Sequence, residues 1–449
     1  MLSYESAVAY INSFINTERS ADFSRQARLY NLERISRLLD LLRNPHQKLK
    51  VVHVAGSKGK GSTAALTASM LTQAGYKTGL FSKPHLITPR ERCRIDSRLI
   101  SETEFARCVA HIQSAIEAVA AMKALGPVSF FEIYVALAFY YFAAEAVDFA
   151  VIEVGLGGRL DATNVIDPLV SAITPISLEH TAILGDTHAA IAREKAEIIK
   201  QNRAVVLAPQ VPEALAVFET VAASRNAPIT LVGRDVHFER THWDIHGQTF
   251  DIKTGGERCQ NLFLPLLGAH QVVNAATAIA CIEQVRQLGH AVPTPSIYNG
   301  LKTIKWPGRM QVVQASPLLV LDGAHSPASV EALCQGIREI FRYHRLIFVV
   351  GLMRDKAVSD IGRIISSIAD AVIITQSSDN PRAFSPEAVR EAWAAFGLET
   401  HTCPTVACAI QQARTIAAPS DLICVTGSII LIGEAMQFLN VPVEEIQPI

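Results

Sequence analysis

Two α/β domains, each a mainly parallel sheet covered by helices, are predicted for this chain on three observations. At 449 residues it is long for a single hydrophobic core. Short apolar runs alternate with helix-like stretches over most of the length, the pattern of strand and crossover helix. Most of those runs are continuously apolar rather than alternating, as expected of strands buried on both faces.

The elements follow in order. Residues 49–55 form the first strand, GSKGKG a Gly-rich turn, and STAALTASML the start of a helix with Leu66 and Met70 four apart on one face. Further strands are expected at 149–154, 170–174 and 204–207. Residues 228–263 read differently: ITLVG and QTFDI alternate in polarity between Gly-containing turns, which predicts a small antiparallel excursion inside the first domain. A break falls at KTIKWPGRM, residues 302–310, and strands resume at 318–321, 346–350, 371–375 and 422–426. The predicted division is therefore 1–304 and 305–449. Neither a short-period repeat nor a low-complexity tract is present.

Composition narrows the partners. Lys plus Arg (41) nearly cancel Asp plus Glu (42), so no global field favours nucleic acid or an anionic membrane, and an anionic ligand must be held locally. No apolar run reaches the length that spans a bilayer, and Met1 to Ser20 lacks the basic start and apolar centre of a leader. A cytoplasmic protein acting on small molecules is expected. Cys93, Cys108, Cys259, Cys281, Cys334, Cys403, Cys408 and Cys424 show no CxxC pair or metal-finger spacing, which predicts buried apolar packing rather than a disulfide framework.

Chemistry first shows in HVAGSKGKGST, residues 53–63. Gly59-Lys60 is the pair that phosphate loops need, yet Val54 stands five positions before Gly59 and Gly61 separates Lys60 from Ser62. Strand, Gly-rich turn and helix start are what phosphate binding requires: close backbone approach, free N–H groups and the positive end of a helix dipole. Lys60 would supply a charge to the phosphates and Ser62 a hydroxyl to Mg²⁺. The alternative is a plain strand-to-helix turn with Ser62 capping the helix. Glu153, at the carboxyl end of the run DFAVIE, stands where a doubly wound sheet places its ligand. There it is either structural or a holder of Mg²⁺ opposite the loop.

These segments, with NLERI (31–35), SKPHL (82–86), FFE (130–132), EVGLGGRLDATN (153–164), LEHTAILGDT (178–187), IAREKAEIIK (191–200), GAHQVVNAATA (268–278), PGRM (307–310), LDGAHSP (321–327) and VTGSIILIGE (425–434), resemble the folylpolyglutamate synthase and dihydrofolate synthase family of the Mur ligase superfamily. That family's own loop carries the glycine between lysine and serine. The resemblance implies a P-loop ATPase-type first domain and a smaller Rossmann-like second domain. The implied reaction passes the γ-phosphate of ATP to a pterin-linked carboxylate. The amine of L-glutamate then attacks the acyl phosphate, and phosphate leaves. Such chemistry is positioning and charge neutralisation among anions.

Site residues are implied by position. Gly59, Lys60, Gly61 and Ser62 would hold ATP phosphates, Ser62, Glu153 and His180 magnesium, and Asn274, Arg309 and Asp322 the rest of the nucleotide. Lys195 matches a lysine carried N-carboxylated, with Lys60 and His180 beside it in the chemistry. Ser129, Phe130, Phe131, Glu132, Leu160, Asp161 and Ala162 match the pterin side, and His325 and Ser428 the glutamate side. By themselves, Lys195 reads as a solvated helix charge, Phe131 as core, and Asp161 as a cap on its own loop. Three departures stand out: Lys58 and Ser326 replace an Asn, and Lys83 a Ser, a position where an ammonium cannot ligate metal. A site built within one chain implies a monomer. A Mur-type ligase for another carboxylate, or a nucleotide-binding protein that has lost catalysis, are the alternatives.

Overall fold

Val51–Ala55, buried along its whole length, is central to an 8-stranded sheet in the computed structural model, which describes residues 2–16, 31–378 and 380–443. The strands run in the order Arg98–Leu99, Cys93–Ile95, Thr78–Phe81, Phe149–Glu153, Val51–Ala55, Val170–Ile173, Ala204–Leu207 and Ile229–Leu231. All neighbours from Thr78–Phe81 onward pair in parallel, and only the edge formed by residues 93–99 is antiparallel. Val51–Ala55 lies between Phe149–Glu153 and Val170–Ile173. Its carboxyl end, with theirs, opens the crevice where parallel sheets take ligands.

The expected antiparallel excursion exists as a 3-stranded sheet of His237–Asp244, Gly247–Lys253 and Arg258–Leu264, so QTFDI lies where expected. ITLVG does not. Ile229–Leu231 is the parallel edge strand of the large sheet, and with all three residues half-buried it lacks the continuous apolar run of a central strand. The helix Lys60–Gln73 is buried on every side from Ser62 to Leu71, so Leu66 and Met70 mark no single apolar face. The reason is packing: Ala269–Gln287 and Thr294–Lys302 both lie against it. At Gly300 a β-carbon would stand 2.6 Å from Met70 Cα, and Ser69 Oγ donates to the Gly300 carbonyl at 2.8 Å.

A second, 6-stranded sheet runs Gln311–Ala315, Leu318–Leu321, Leu422–Thr426, Leu346–Val350, Ala371–Ile374 and Glu399–Thr402. It is parallel except for its first pair. Between the first sheet's last strand and this sheet's first lie the 3-stranded sheet, the helices Ala269–Gln287 and Thr294–Lys302, and the segment 303–310. Among the described residues no helix is long and apolar enough to cross a membrane. Of the segment Met1 to Ser20 read for a leader, residues 1 and 17–20 lie outside the described residues. The eight cysteines are free thiols, and all but Cys408 are buried.

Candidate active site

The loop after Val51–Ala55 sets the site. Gly59 takes φ +88° as the residue capping the helix Lys60–Gln73, a left-handed conformation glycine adopts without strain. A β-carbon there would lie 2.1 Å from Asn274 Oδ1. Ser62 is therefore inside the helix rather than its cap, and it is buried. Gly61, the residue that spoils the regular motif, is where a carboxylate approaches: a β-carbon at 61 would stand 3.3 Å from Glu153 Oε2. The same oxygen accepts from the Lys83 amide at 3.2 Å. Burial pushes the Glu153 carboxyl up, and Lys60 and Lys83 pull it back.

Opposite lies the segment after Val170–Ile173. His180 adopts φ +49° at the start of a short helix and is open to the cavity, where reduced solvation lowers its imidazole against the pull of Glu179. The ring is therefore neutral, with a lone pair to offer. Lys195, on the helix His188–Ala196, is 2% exposed rather than the solvated charge its sequence suggests. Its Nζ donates to the Gly56 carbonyl at 2.8 Å and stands 3.4 Å from Glu179 Oε1. Burial lowers its ammonium to about 8, opposed by Glu179 and reinforced by Lys60. Lys60 Nζ donates to the same Gly56 carbonyl at 2.8 Å and to Ser57 at 3.1 Å. Two ammonium groups thus share one carbonyl oxygen.

Glu179 is the site residue that the sequence reading missed. Its other oxygen pairs with Lys58 Nζ at 3.2 Å. Burial raises its carboxyl, but Lys195, Lys60 and Lys58 overcome that and hold it well below the usual carboxylate range. It is a fixed anion among lysines from two segments more than a hundred residues apart, a relation with no local signal in sequence.

From the second sheet comes the facing wall. Asp322 is buried, and its carboxylate accepts from the Met310 and Ala324 amides, each at 2.8 Å. Burial raises that carboxyl and Arg309 opposes the rise. Arg309 donates to the Gly308 carbonyl at 3.0 Å. His325 makes a 2.7 Å Nδ1 contact with the Gly323 carbonyl, which as a donor fixes Nδ1–H and leaves Nε2 as the acceptor. Ser428 caps the helix Ile429–Phe438 by accepting from the Leu431 amide at 3.1 Å. Ser326 caps Pro327–Ile340 with Ser329 as its reciprocal partner.

One cavity of about 260 Å³ is lined by Gly59, Lys60, Gly61, Ser62, Glu153, His180, Lys195, Asn274, Arg309, Asp322 and His325, together with Lys58, Lys83 and Glu179. Ser428 is not among its lining residues, though its neighbour Ile429 is. The pterin-side set lies apart from it. Ser129 and Glu132 form a reciprocal capping box at the start of Phe130–Ala144, and Glu132 also receives Arg34 Nε on both oxygens, at 2.8 and 2.9 Å. Phe130 and Ala162 are core residues. Asp161 is saturated within its own loop, accepting from Leu156 N at 2.8 Å, Thr163 N at 3.0 Å and Thr163 Oγ1 at 2.6 Å. Leu160 is half-buried nearby. Gly155 is the link, because it lines the cavity while a β-carbon on it would meet Phe131 at 2.4 Å and Asp161 Oδ2 at 2.7 Å.

Comparison with known proteins agrees with this arrangement. Residues 54–282 match the Mur ligase middle domain, and residues 308–429 match the Mur ligase, glutamate ligase domain. A probable bifunctional folylpolyglutamate synthase/dihydropteroate synthase of Haloferax volcanii is 36% identical over 418 residues, covering 90% of this chain and 48% of its own, so the chain spans about half of that relative. The solved Mycobacterium tuberculosis folylpolyglutamate synthase complexed with ADP superposes with TM-score 0.90 at 30% identity, over 98% of both chains. Escherichia coli FolC in complex with DHPP and ADP gives TM-score 0.83 at 28% identity, again over 98% of each.

Proposed function

This chain belongs to the folylpolyglutamate synthase family within the Mur ligases, and from that premise we propose that it joins L-glutamate to folates in an ATP-dependent ligation. The acceptor is the carboxylate of dihydropteroate, of a reduced folate, or of both, and the reaction runs through an acyl phosphate. The observation that carries this reading is the single cavity shared by Lys60, Glu153, His180 and Lys195 from the first sheet and Arg309, Asp322 and His325 from the second. We place the division between the nucleotide-holding and glutamate-ligase domains after residue 304, so that ATP bridges both. A cytoplasmic monomer needing no nucleic acid or membrane completes the reading.

Two of the three candidate donors are the oxygens that magnesium prefers, and the imidazole is the softer exception. That ion takes one or two protein carboxylates and leaves the remaining positions to phosphate and water, and here the candidates are the Glu153 carboxylate, the neutral His180 ring and the Ser62 hydroxyl. Bound there, magnesium would neutralise phosphate charge. Lys60 leaves the Gly56 and Ser57 carbonyls for the phosphates, whose backbone cradle is the start of Lys60–Gln73. Asn274, against Gly59, and Arg309 hold the rest of the nucleotide. Phe131, Asp161 and their neighbours orient the acceptor from behind Gly155, while His325 faces the glutamate and Ser428 holds the start of the helix beside it.

The environment of Lys195 supports its N-carboxylation. Carbon dioxide adds to a free amine, and an ammonium lowered to about 8 by burial is partly deprotonated near neutrality, as a surface lysine is not. The product is an anionic oxygen donor beside Gly56. Purified protein with ATP, Mg²⁺ and L-glutamate, offered dihydropteroate and tetrahydrofolate separately, is expected to release ADP with a ligated product. ATP binding with no product from either acceptor would overturn the folate reading. Lys195→Ala is expected to lower turnover about 100-fold or more, the scale for losing one placed electrostatic group, with ADP affinity retained. Full turnover by that variant would remove the carboxylated lysine from the reaction while leaving the ligase reading intact.

A further inference from the structure

Cys403 and Cys408 lie outside the cavity, in the second sheet's outer layer, and their sulfurs are 3.2 Å apart. Cys403 directly follows the edge strand Glu399–Thr402, and Cys408 is in the first turn of the helix Val406–Ile416. The two thiols form a chain in which Cys408 Sγ donates to Cys403 Sγ, and Cys403 Sγ donates to Gln412 Oε1 at 2.9 Å. Their environments differ. Cys403 is buried and Cys408 partly exposed, which gives one thiol that solvent reaches and one held behind it. Burial, with Cys408 beside it, pushes the Cys403 thiol up. Cys408 sits at a helix start capped by Thr405, whose Oγ1 accepts the Cys408 amide at 3.3 Å. The other six cysteines are all buried.

We propose that Cys408 and Cys403 are a peroxide-reactive dithiol that closes to a reversible intramolecular disulfide. The Cys408 thiolate attacks one oxygen of hydrogen peroxide and the O–O bond breaks. The departing hydroxide takes up the proton released by the thiol and leaves as water, giving a sulfenic acid at Cys408. The Cys403 sulfur then attacks the Cys408 sulfur, the S–O bond breaks, and the hydroxyl leaves as a second water with the Cys403 proton. Two thiols lose two electrons and one peroxide gains them. An S–S bond is about 2.05 Å long, so closure from the observed separation is a small side-chain movement. The five-residue sequence spacing, with Pro404 and the cap between, makes the loop short and the resolving sulfur always at hand. A sulfenic acid at Cys408 is therefore captured before further oxidation.

The test uses the full chain, treated with hydrogen peroxide, quenched, alkylated under denaturing conditions and measured by intact mass and peptide mapping. The expected result is loss of the two thiol hydrogens, confined to the peptide holding Cys403 and Cys408, with the other six cysteines alkylated and the change reversed by dithiothreitol. Cys403→Ser is expected to stop at a sulfenic acid on Cys408 that a dimedone probe labels. Cys408→Ser is expected to show neither the mass loss nor the label. Progression of wild-type Cys408 to sulfinic acid with Cys403 still a thiol, or prior oxidation of any other cysteine, would overturn the proposal. Because neither variant touches the cavity, ligase turnover serves as the check that each has folded.

Discussion

Lys60→Ala is expected to reduce kcat/KM for ATP by about 100- to 1,000-fold, or about 2.7–4 kcal/mol of transition-state stabilisation, with little change in unfolding free energy. The two halves of that expectation come from one geometry. Lys60 makes its resting bonds only to its own loop, at the Gly56 and Ser57 carbonyls. When it is removed, Gly56 O still accepts from Lys195 at 2.8 Å and the Ser57 carbonyl loses its lysine donor, so the fold loses about one hydrogen bond, on the order of 1 kcal/mol. What disappears is a cation at a helix start, beside Glu153 and in the cavity where phosphate charge must be neutralised. ATP-dependent turnover and urea unfolding of the same preparation check both halves. Unchanged affinity for ATP and unchanged turnover would mean that the loop does not hold the nucleotide.

Arg34→Ala is expected to destabilise the protein by about 3–5 kcal/mol, the cost of stripping one partner from a buried ion pair. Arg34 and Glu132 are 2% and 5% exposed, and the guanidinium also donates to the Leu125 carbonyl at 3.0 Å. Without it Glu132 keeps, among the described residues, the Ser129 amide and hydroxyl, at 2.8 and 2.7 Å. Burial already pushes the Glu132 carboxyl up and Arg34 is the leading group opposing that. The readout is a fall in urea midpoint at constant m. Replacing both partners by apolar residues, Arg34→Met with Glu132→Leu, should recover much of the loss, since such pairs are often no more stable than well-packed hydrophobic substitutes. A single-variant loss below about 1 kcal/mol, the range of exposed pairs, would show that the pair contributes little. The result also bears on the pterin side. If Glu132 acts mainly through the capping box and Arg34, its replacement should move stability more than KM for the acceptor.

Much of this architecture is legible because buried parallel strands are written as unbroken apolar runs. Val51–Ala55, Leu346–Val350 and Leu422–Thr426 are buried throughout, as are Phe149–Glu153 and Ala371–Ile374. Edge strands lack the signal. Ile229–Leu231 is half-buried and lacks the unbroken run, and Arg98–Leu99 is too short to leave a pattern. The loop residues could be placed because backbone geometry demands Gly59 and Gly61 near their own position in the chain. Glu179 could not, because its role lies in pairing with Lys58 and Lys195 across the fold. At Ser129 a local signal was available: S-x-x-E before an apolar run is a capping box, and it describes what Ser129 and Glu132 are seen to do. Lys195 reads as a solvated charge from its own helix, and only the resemblance placed it in the site, since a lysine between Glu194 and Ala196 gives no local hint that the cavity encloses it.

Gly155 carries a practical meaning for anyone who would alter what this protein accepts. On one side it borders the nucleotide cavity; on the other, the Phe131 ring and the Asp161 carboxylate occupy the space a side chain would need. Its backbone alone stands between the cavity and the proposed acceptor side. On that reading, trimming Phe131 to make room for an acceptor would also loosen the packing behind the nucleotide cavity. A library aimed at new acceptors should therefore leave position 155 fixed and score every hit for nucleotide affinity alongside product.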